Sequence, residues 1–448
     1  MTSSNKSRIA FVSLGCPKNQ IDTEIMLSEL AAAGYEIVEE DINADVIIIN
    51  TCGFIQSAKQ EGIDNILDAA WLKTNRSLRG IVVTGCMAER YREQIFEQLP
   101  EVDAMLGTGS IHHICEAVRS VLEKKPDEAK YSSFDDKETM PLGGDRVVTT
   151  PEYSVYLKLA EGCSNCCAYC AIPQIRGRFR SRTPEAILAE ARTLIELGAK
   201  EITLVAQDIT RWGEDLYGAP SLPRLLRELC KLDVKWLRLL YTYPELIDDE
   251  LVEVIKTEPK IIKYIDMPIQ HINADILRAM GRRGGPEAIQ SALARLRAVE
   301  GMVIRSTVIV GFPGETDEQF GELLKFIKAA QFERLGAFEY SAEEGTPAAA
   351  MPEQIKPAVK KRRYARIMEA QNIITNRFND SRIGKVVEVL AEEWDGASGA
   401  WFTRSYADAP EIDGKIYIRG GRRLLKVGEF ADVRLTETLD YDMIGERV

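Results

Sequence analysis

Apolar and polar positions alternate in blocks along the first part of the chain. Short continuous apolar runs, typical of parallel strands buried on both faces, occur at Arg8–Leu14, Asp45–Asn50 and Gly80–Thr84. Stretches with helical spacing occur at Asp22–Ala33, Ile55–Leu72 and Ala88–Gln98. Strands that alternate with helices predict a doubly wound parallel sheet in residues 1–123.

A second, longer alternation follows a break in the pattern. Residues 124–150 are charged, contain Pro, Gly and Ser, and show no periodicity, which predicts a linker. Strand-like runs then occur at Ser154–Leu159, Glu201–Val205, Trp236–Tyr241, Ile261–Asp266, Val303–Val310 and Leu335–Tyr340. Helical stretches occur at Thr183–Leu197, Leu222–Lys231, Asp248–Lys256, Pro286–Val299 and Thr316–Ala330. Such successive units predict a partial or full parallel β/α barrel in residues 151–378.

The last part of the chain has a different pattern. Short strand-like pieces separated by Gly, Asp and Pro turns occur at Val386–Ala391, Ala400–Thr403, Lys415–Ile418 and Glu429–Leu435. We therefore predict a small antiparallel β-barrel in residues 379–448. The whole chain is then an α/β protein of three domains, which its 448 residues accommodate.

Composition narrows the classes of partner and compartment. The chain has 57 basic and 69 acidic residues, and residues 379–448 alone carry 10 and 14. Net negative charge disfavours wrapping of a nucleic-acid backbone, which selects clustered positive charge. No apolar run reaches the ~18 residues of a membrane span, and the polar segment Met1–Arg8 is unlike a signal peptide. We expect a cytoplasmic protein without a membrane partner.

Four of the nine cysteines form a tight group directly after a strand-like run. Because the cytoplasm keeps thiols reduced, metal or iron–sulfur ligation is the first interpretation. Cys163, Cys167 and Cys170 have the spacing C-x3-C-x2-C, and three thiolates on a four-iron cluster leave one iron open to a ligand. The alternative is a structural zinc site with Cys166 as the fourth ligand, but adjacent cysteines in one loop rarely satisfy tetrahedral geometry.

Three further cysteines, Cys16, Cys52 and Cys86, each follow a predicted parallel strand. A lone cysteine is more often a buried apolar residue. The ends of parallel strands, however, meet at one edge of a sheet, where doubly wound folds bind ligands. The three together therefore predict a second site with three thiolates.

These cysteines and several segments resemble one known family. SLGCPKNQIDTE, AIPQIRGRFRSR, GFPGET, YSAEEGTPA and DAPEIDG, with the three predicted domains, are similar to radical S-adenosylmethionine (SAM) methylthiotransferases, whose C-terminal domain is called TRAM. The resemblance is strongest to the branch that modifies a ribosomal protein. The branch that modifies tRNA has Gly-Cys-Gln where this chain has Gly15-Cys16-Pro17.

The resemblance implies cofactors and residue roles. Cys163, Cys167 and Cys170 would hold a [4Fe–4S] cluster whose open iron binds SAM, and an electron from a donor protein would cleave SAM to a carbon radical. Cys16, Cys52 and Cys86 would hold an auxiliary [4Fe–4S] cluster that handles sulfur. The substrate would be the β-carbon of an aspartate in small-subunit ribosomal protein S-twelve, free or within the ribosome. The family's second cysteine is not usually preceded by cysteine, so either Cys166 is a bystander or the ligands shift by one residue. We expect Cys166 not to be a ligand, because a further thiolate on the open iron would block the cofactor.

Four other residues are implied as contacts of SAM. Tyr169 occupies the aromatic position before the last ligand, and Gln207 ends a barrel strand. Gly311 and Gly314 stand in a turn before a helix, where Thr316 and Gln319 form a capping box. A packed aromatic ring and a plain turn are the structural alternatives.

Two other functions remain as alternatives. One is methylthiolation of a hypermodified adenosine in tRNA, and the other is RNA binding by a TRAM protein whose clusters are structural. The acidic C-terminal domain disfavours both, because single-strand binders use positive grooves. We expect its acidic turn, with Asp408, Glu411 and Asp413, to contact a basic ribosomal protein.

Overall fold

The computed structural model describes residues 6–123 and 129–448. Its first part is a six-stranded parallel sheet with strand order β2-β1-β3-β4-β5-β6. The strands are β1 Arg8–Ser13, β2 Glu36–Val38, β3 Val46–Thr51, β4 Gly80–Gly85, β5 Ala104–Leu106 and β6 Tyr131–Ser133. The helices are α1 Pro17–Ala32, α2 Gln56–Asn75, α3 Cys86–Tyr91, α4 Glu93–Gln98 and α5 Ile114–Leu122. Every residue of β3 and β4 is buried, because helices cover both faces.

Three local predictions differ from the structure in this region. Helix α1 begins at Pro17 rather than Asp22, because a proline in the first turn lacks the N–H that a helix start leaves unpaired. The single helix predicted at Ala88–Gln98 is divided by Arg92, whose φ of +39° interrupts it. The segment predicted to be a linker contains strand β6, which pairs with β5; residues 124–128 of that segment lie outside the described part.

The central part is an open six-stranded parallel sheet, the partial form of the predicted barrel. Its strand order is β14-β13-β12-β11-β10-β7. These strands are β7 Ser154–Lys158, β10 Glu201–Val205, β11 Trp236–Leu239, β12 Ile261–Asp266, β13 Val303–Val310 and β14 Arg334–Glu339, with β8 Ala160–Glu161 and β9 Arg180–Ser181 forming a separate pair. All six predicted strands are thus present, within two residues at each end.

Helices connect the strands of the central sheet. They are α6 Ile172–Arg176, α7 Pro184–Glu196, α8 Glu214–Tyr217, α9 Leu222–Leu229, α10 Asp249–Thr257, α11 Ala274–Ala279, α12 Gly285–Arg297, α13 Asp317–Ala330 and α14 Pro357–Asp380. The predicted capping box at Thr316 and Gln319 is present at the start of α13. The 24-residue helix α14 packs on β14 and α13, and the sequence pattern did not predict it.

The C-terminal part is a closed five-stranded barrel with strand order β15-β16-β17-β19-β18. Its strands are β15 Val386–Asp395, β16 Ala400–Ser405, β17 Ile416–Arg419, β18 Phe430–Leu439 and β19 Asp442–Arg447. The barrel was predicted as antiparallel, but β17 and β19 pair in parallel. Strand β19 was not predicted, and it closes the barrel.

The C-terminal barrel contacts the amino ends of the central strands. Tyr153, Trp236 and Val303, at or beside strand starts, share one apolar cluster with Leu390 and Ala407. The cysteine loop lies beyond the opposite, carboxyl end of β7. Within the described residues, no helix is long and apolar enough to cross a membrane.

Candidate functional site

The cysteine loop of the central sheet buries some of its thiols and exposes another. Cys163 and Cys167 are buried and Cys170 is half-buried, whereas Cys166 is exposed. Two backbone contacts shape the loop end: the Cys170 N–H donates to the Cys167 carbonyl at 3.0 Å, and the Ile172 N–H donates to Cys170 Sγ at 3.4 Å. The loop therefore separates Cys166 from the three thiols of the C-x3-C-x2-C spacing.

Polar side chains that follow β10, β11 and α11 contact this loop or one another. Asn165 donates to buried Asp208 at 3.0 Å, and Asp208 follows β10. Arg282 lies over the Tyr243 ring at 4.1 Å, and the Tyr243 hydroxyl is 4.0 Å from Cys167 Sγ. These contacts fix the loop from two sides.

The three N-terminal cysteines follow three neighbouring strands, as predicted. Cys16 precedes α1, Cys52 follows β3, and Cys86 begins α3 after β4. Glycines permit their close approach: a Cβ atom at Gly15 would lie 2.8 Å from Cys52 Cβ, and one at Gly53 would lie 2.9 Å from the Cys86 carbonyl carbon. The sheet edge therefore brings these three thiols into one place.

Burial and neighbouring charges control the thiol pKa values. Burial raises the pKa of Cys86 and of Cys170 to about 12, and that of Cys163 to about 11. Burial also acts to raise the pKa of Cys16, but the positive charges of Lys18 and Arg176 outweigh it and lower the pKa. Thiolates are the metal-binding form, so protons must leave these sites when a metal enters.

The chemistry of the two groups of thiols fits four-iron clusters, because thiolates are the usual ligands of iron–sulfur clusters. In a four-iron cluster each thiolate binds a different iron, so its ligands are spread apart. Two separate sets of three thiols, each at the carboxyl end of parallel strands, are suited to that arrangement.

A buried ionic network joins α1 of the N-terminal part to β7, β8 and α6 of the central part, and it was not predicted. Arg176 Nη1 lies 2.7 Å from Asp22 Oδ2 and 3.2 Å from Glu161 Oε2, and Lys158 Nζ pairs with the same two carboxylates at 2.8 and 2.9 Å. All four side chains are at most 4% exposed. The only signal in the sequence was the basic run after the cysteines, IRGRFRSR, which contains Arg176.

The other predicted contacts of SAM lie near the core cysteine loop or in the turn before α13. Tyr169 packs against an apolar cluster that includes Met280 and Phe312, and Gln207 lies two residues after the end of β10, next to Asp208. The turn has its own structural account: Gly311 and Gly314 have φ of +73° and +78°, and the Glu315 carboxylate accepts from the Gly311 N–H. A role of these four residues in SAM binding stays a prediction.

The acidic turn of the C-terminal domain is not the exposed surface that we expected. Asp408 is 2% exposed and pairs with Arg334 at 2.6 Å. Asp413 accepts from the Tyr264 hydroxyl at 2.6 Å, which leaves Glu411 as the exposed acid of the three. The prediction that all three contact a basic partner is therefore wrong, because two of them bind the central sheet.

Positive charge collects elsewhere on the same domain. A cavity of about 790 Å³ lies between the C-terminal barrel and the central part. Its polar lining is Lys200, Lys235, Arg423, Lys426, Arg447 and one acid, Glu429. The domain's net negative charge therefore does not describe each of its faces.

Comparison with known proteins relates these features to a family. Three family models match: "Uncharacterized protein family UPF0004" at residues 8–107, "Radical SAM superfamily" at 157–327 and "TRAM domain" at 383–448. Ribosomal protein uS12 methylthiotransferase RimO of Geobacter sulfurreducens is 47% identical over 99% of both chains. The RimO of Thermoanaerobacter sp. is 46% identical over 98% of this chain and 99% of its own. This chain belongs to the RimO family of radical SAM methylthiotransferases.

Solved structures support the fold of this RimO family member. The radical SAM methyltransferase TsrM of Kitasatospora setae, solved with cobalamin and a [4Fe–4S] cluster, has a TM-score of 0.57 at 14% identity over 77% of both chains. The cobalamin-dependent SAM radical enzyme OxsB has a TM-score of 0.51 at 14% identity over 83% of this chain and 56% of its own. These structures confirm the predicted α/β architecture, and the relatives named as methylthiotransferases confirm the assignment as a transferase.

Proposed function

We propose that this RimO family member uses SAM and two [4Fe–4S] clusters to methylthiolate the β-carbon of an aspartate in ribosomal protein uS12. The observation that carries the proposal is the presence of two separate sets of three cysteines, with α6 between them contacting Cys170 Sγ at one end and Cys86 Sγ at the other. A single cluster would need only one of them. The chain is 46–47% identical, over nearly its full length, to proteins named as uS12 methylthiotransferases, and this similarity supports uS12 as the substrate.

The residues of the chain divide the work between the two sites. Cys163, Cys167 and Cys170 would hold the cluster that binds SAM, and Cys16, Cys52 and Cys86 would hold the second one. When bound, these groups supply the radical and sulfur chemistry that acid–base side chains cannot perform. The protein contributes position: the contact of Asn165 with Asp208 fixes the core loop, and the three thiols other than the exposed Cys166 would hold the cluster.

The reaction also requires partners. An electron donor protein must reduce the core site, and uS12 must bring its aspartate to the carboxyl end of the central strands. The substrate is either free uS12 or uS12 in the ribosome, which places the enzyme in the cytoplasm. Tyr169, Gln207, Gly311 and Gly314 are proposed contacts of SAM because they follow strands or loops at that end.

Iron analysis of two triple variants tests the two-cluster proposal. The anaerobically purified protein should contain about eight iron atoms, four per cluster. Replacing Cys163, Cys167 and Cys170 with Ala should halve the iron and abolish deoxyadenosine formation from SAM. Replacing Cys16, Cys52 and Cys86 with Ala should also halve the iron but leave some cleavage of SAM. If the second variant keeps all its iron, the N-terminal site holds no cluster.

A further inference from the structure

The short helix α6 lies between the two groups of cysteines. It begins at Ile172, whose N–H contacts Cys170 Sγ at 3.4 Å, and ends at Arg176, whose Nη2 contacts Cys86 Sγ at 3.7 Å. Five residues at a rise of 1.5 Å span about 7.5 Å. One rigid element of the central part therefore contacts a cysteine of each site.

The N-terminal part holds this helix in place. The Thr108 hydroxyl donates to the Ile175 carbonyl at 2.7 Å, which satisfies a backbone oxygen at the helix end. Cys86 itself packs against Ala171 and Ile175 in a small buried cluster. The position of the Cys86 thiol is thus tied to α6 by apolar packing as well as by Arg176.

The buried charged side chains around Arg176 balance one another, and the neighbouring cysteines take no part in that balance. Arg176 and Lys158 neutralise Asp22 and Glu161, and the Arg176 guanidinium also donates to Asn19 at 3.1 Å.

Lys18, beside Cys16, adds one more buried cation, which lies 3.4 Å from the centre of the Tyr241 ring. A doubly positive [4Fe–4S] core with three thiolates carries one net negative charge. This environment therefore suits such a group.

We infer that Arg176 is a positioning residue: its hydrogen bond to the Cys86 sulfur sets the reduction potential of the N-terminal cluster, and α6 fixes that cluster relative to the core cluster. The inference rests on the proposed second cluster. Reduction adds negative charge, and a buried guanidinium that donates to a ligand sulfur stabilises the reduced form. A purely structural Arg176 would stabilise the fold without changing the potential.

Potentiometric titration followed by electron paramagnetic resonance tests the inference in the intact holoprotein. Arg176→Gln removes the positive charge and with it the charge-assisted hydrogen bond to Cys86. At a fixed potential, the ratio of reduced to oxidised N-terminal cluster should therefore fall about tenfold. That ratio corresponds to a shift of about 59 mV to more negative values for one electron. Arg176→Lys keeps the charge but loses the planar fork, so its shift should be smaller and of the same sign. The core cluster should keep its potential.

Arg146 provides a matched control. Its side chain is equally buried and also joins the two parts, pairing with Glu24 at 3.0 Å and with Glu190 at 2.6 Å, and none of its contacts is a cysteine. Arg146→Gln should therefore leave both potentials unchanged.

Several outcomes would overturn the inference. One is that both Arg176 variants retain about eight irons and the reduction potential of the N-terminal cluster is unchanged in each. Another is an equal shift in the Arg146 variant. If Arg176→Gln does not fold, an unshifted Arg176→Lys overturns it alone. A wild-type protein with about four irons would instead refute the second cluster, and with it the proposed function.

Discussion

Cys166 and Cys167 are adjacent in the chain, but their environments differ. Cys166 is exposed and Cys167 is buried beside Tyr243. We expect Cys166→Ser to retain about eight irons and activity, because a fourth thiolate is not needed. Cys167→Ser should lose about half the iron and all cleavage of SAM, measured by iron assay and by deoxyadenosine formation. The reverse result would move the ligand set by one residue.

Asp408 is buried against Arg334, so we expect its replacement to lower stability. Asp408→Asn removes the charge opposite buried Arg334, and breaking a buried ion pair costs about 3–5 kcal/mol. Exposed Glu411 in the same turn offers the control, because Glu411→Gln should change stability by less than about 0.5 kcal/mol. Denaturant unfolding measures both. Equal stability of the two variants would contradict the role assigned to the contact between Asp408 and Arg334.

Some of the site could be predicted residue by residue and some could not. The cysteines were predictable because spacing and strand ends are properties of the sequence itself. Arg176 was not, because its contacts to Asp22 and Cys86 join segments about 90–150 residues apart. A count of acidic residues likewise does not show that Asp408 is buried.

Helices and strands with a clear pattern of apolar residues were predictable from the sequence. Those that depend on tertiary contacts were not. The strands of the central sheet are short runs rich in β-branched and other apolar residues, so their type was clear. Helix α14 begins with the basic segment around Lys360 and Lys361. Its buried face is narrow, so the apolar pattern is hard to recognise in the sequence. The edge strand β6 has no pattern of its own and exists through pairing with β5.

We expect the contact between β10 and the C-terminal barrel to depend on pH. Glu201 begins β10 and pairs with Arg404 at 2.5 Å and Arg238 at 2.8 Å. Burial acts to raise the pKa of Glu201, but the two guanidinium charges outweigh it and lower the pKa to about 2. Because the pKa in the folded state lies below the unfolded value, the stabilisation is complete above about pH 4.3 and is lost as pH falls toward 2.

A comparison with Glu201→Gln measures this effect. At pH 7 the variant should be less stable by about 3 kcal/mol, the equivalent of the pKa shift. The difference between the two proteins should narrow when thermal unfolding is repeated below about pH 4. A difference that stays constant from pH 7 to pH 3 would contradict the assignment.

At the scale of the whole molecule, the central sheet separates two tasks. The N-terminal part meets the central part through contacts of α1 with β7 and of α3 with α6, beside the two groups of cysteines. The C-terminal barrel meets the amino ends of the strands, where Glu201 and Arg334 bind it. The net charge can be counted from the sequence, but it does not show that this barrel buries some of its acidic residues and lines a cavity with basic ones.

The central claim is that this enzyme methylthiolates uS12. Mass spectrometry of uS12 and of tRNA, from a strain lacking the gene and from its parent, tests the claim most directly. We predict that uS12 from the deletion strain lacks one methylthio group on an aspartate, while its tRNA is unchanged. Reintroducing the gene should restore the group, and a version with Cys163, Cys167 and Cys170 replaced by Ala should not. Loss of a methylthio group from tRNA, with uS12 unaltered, would contradict the claim.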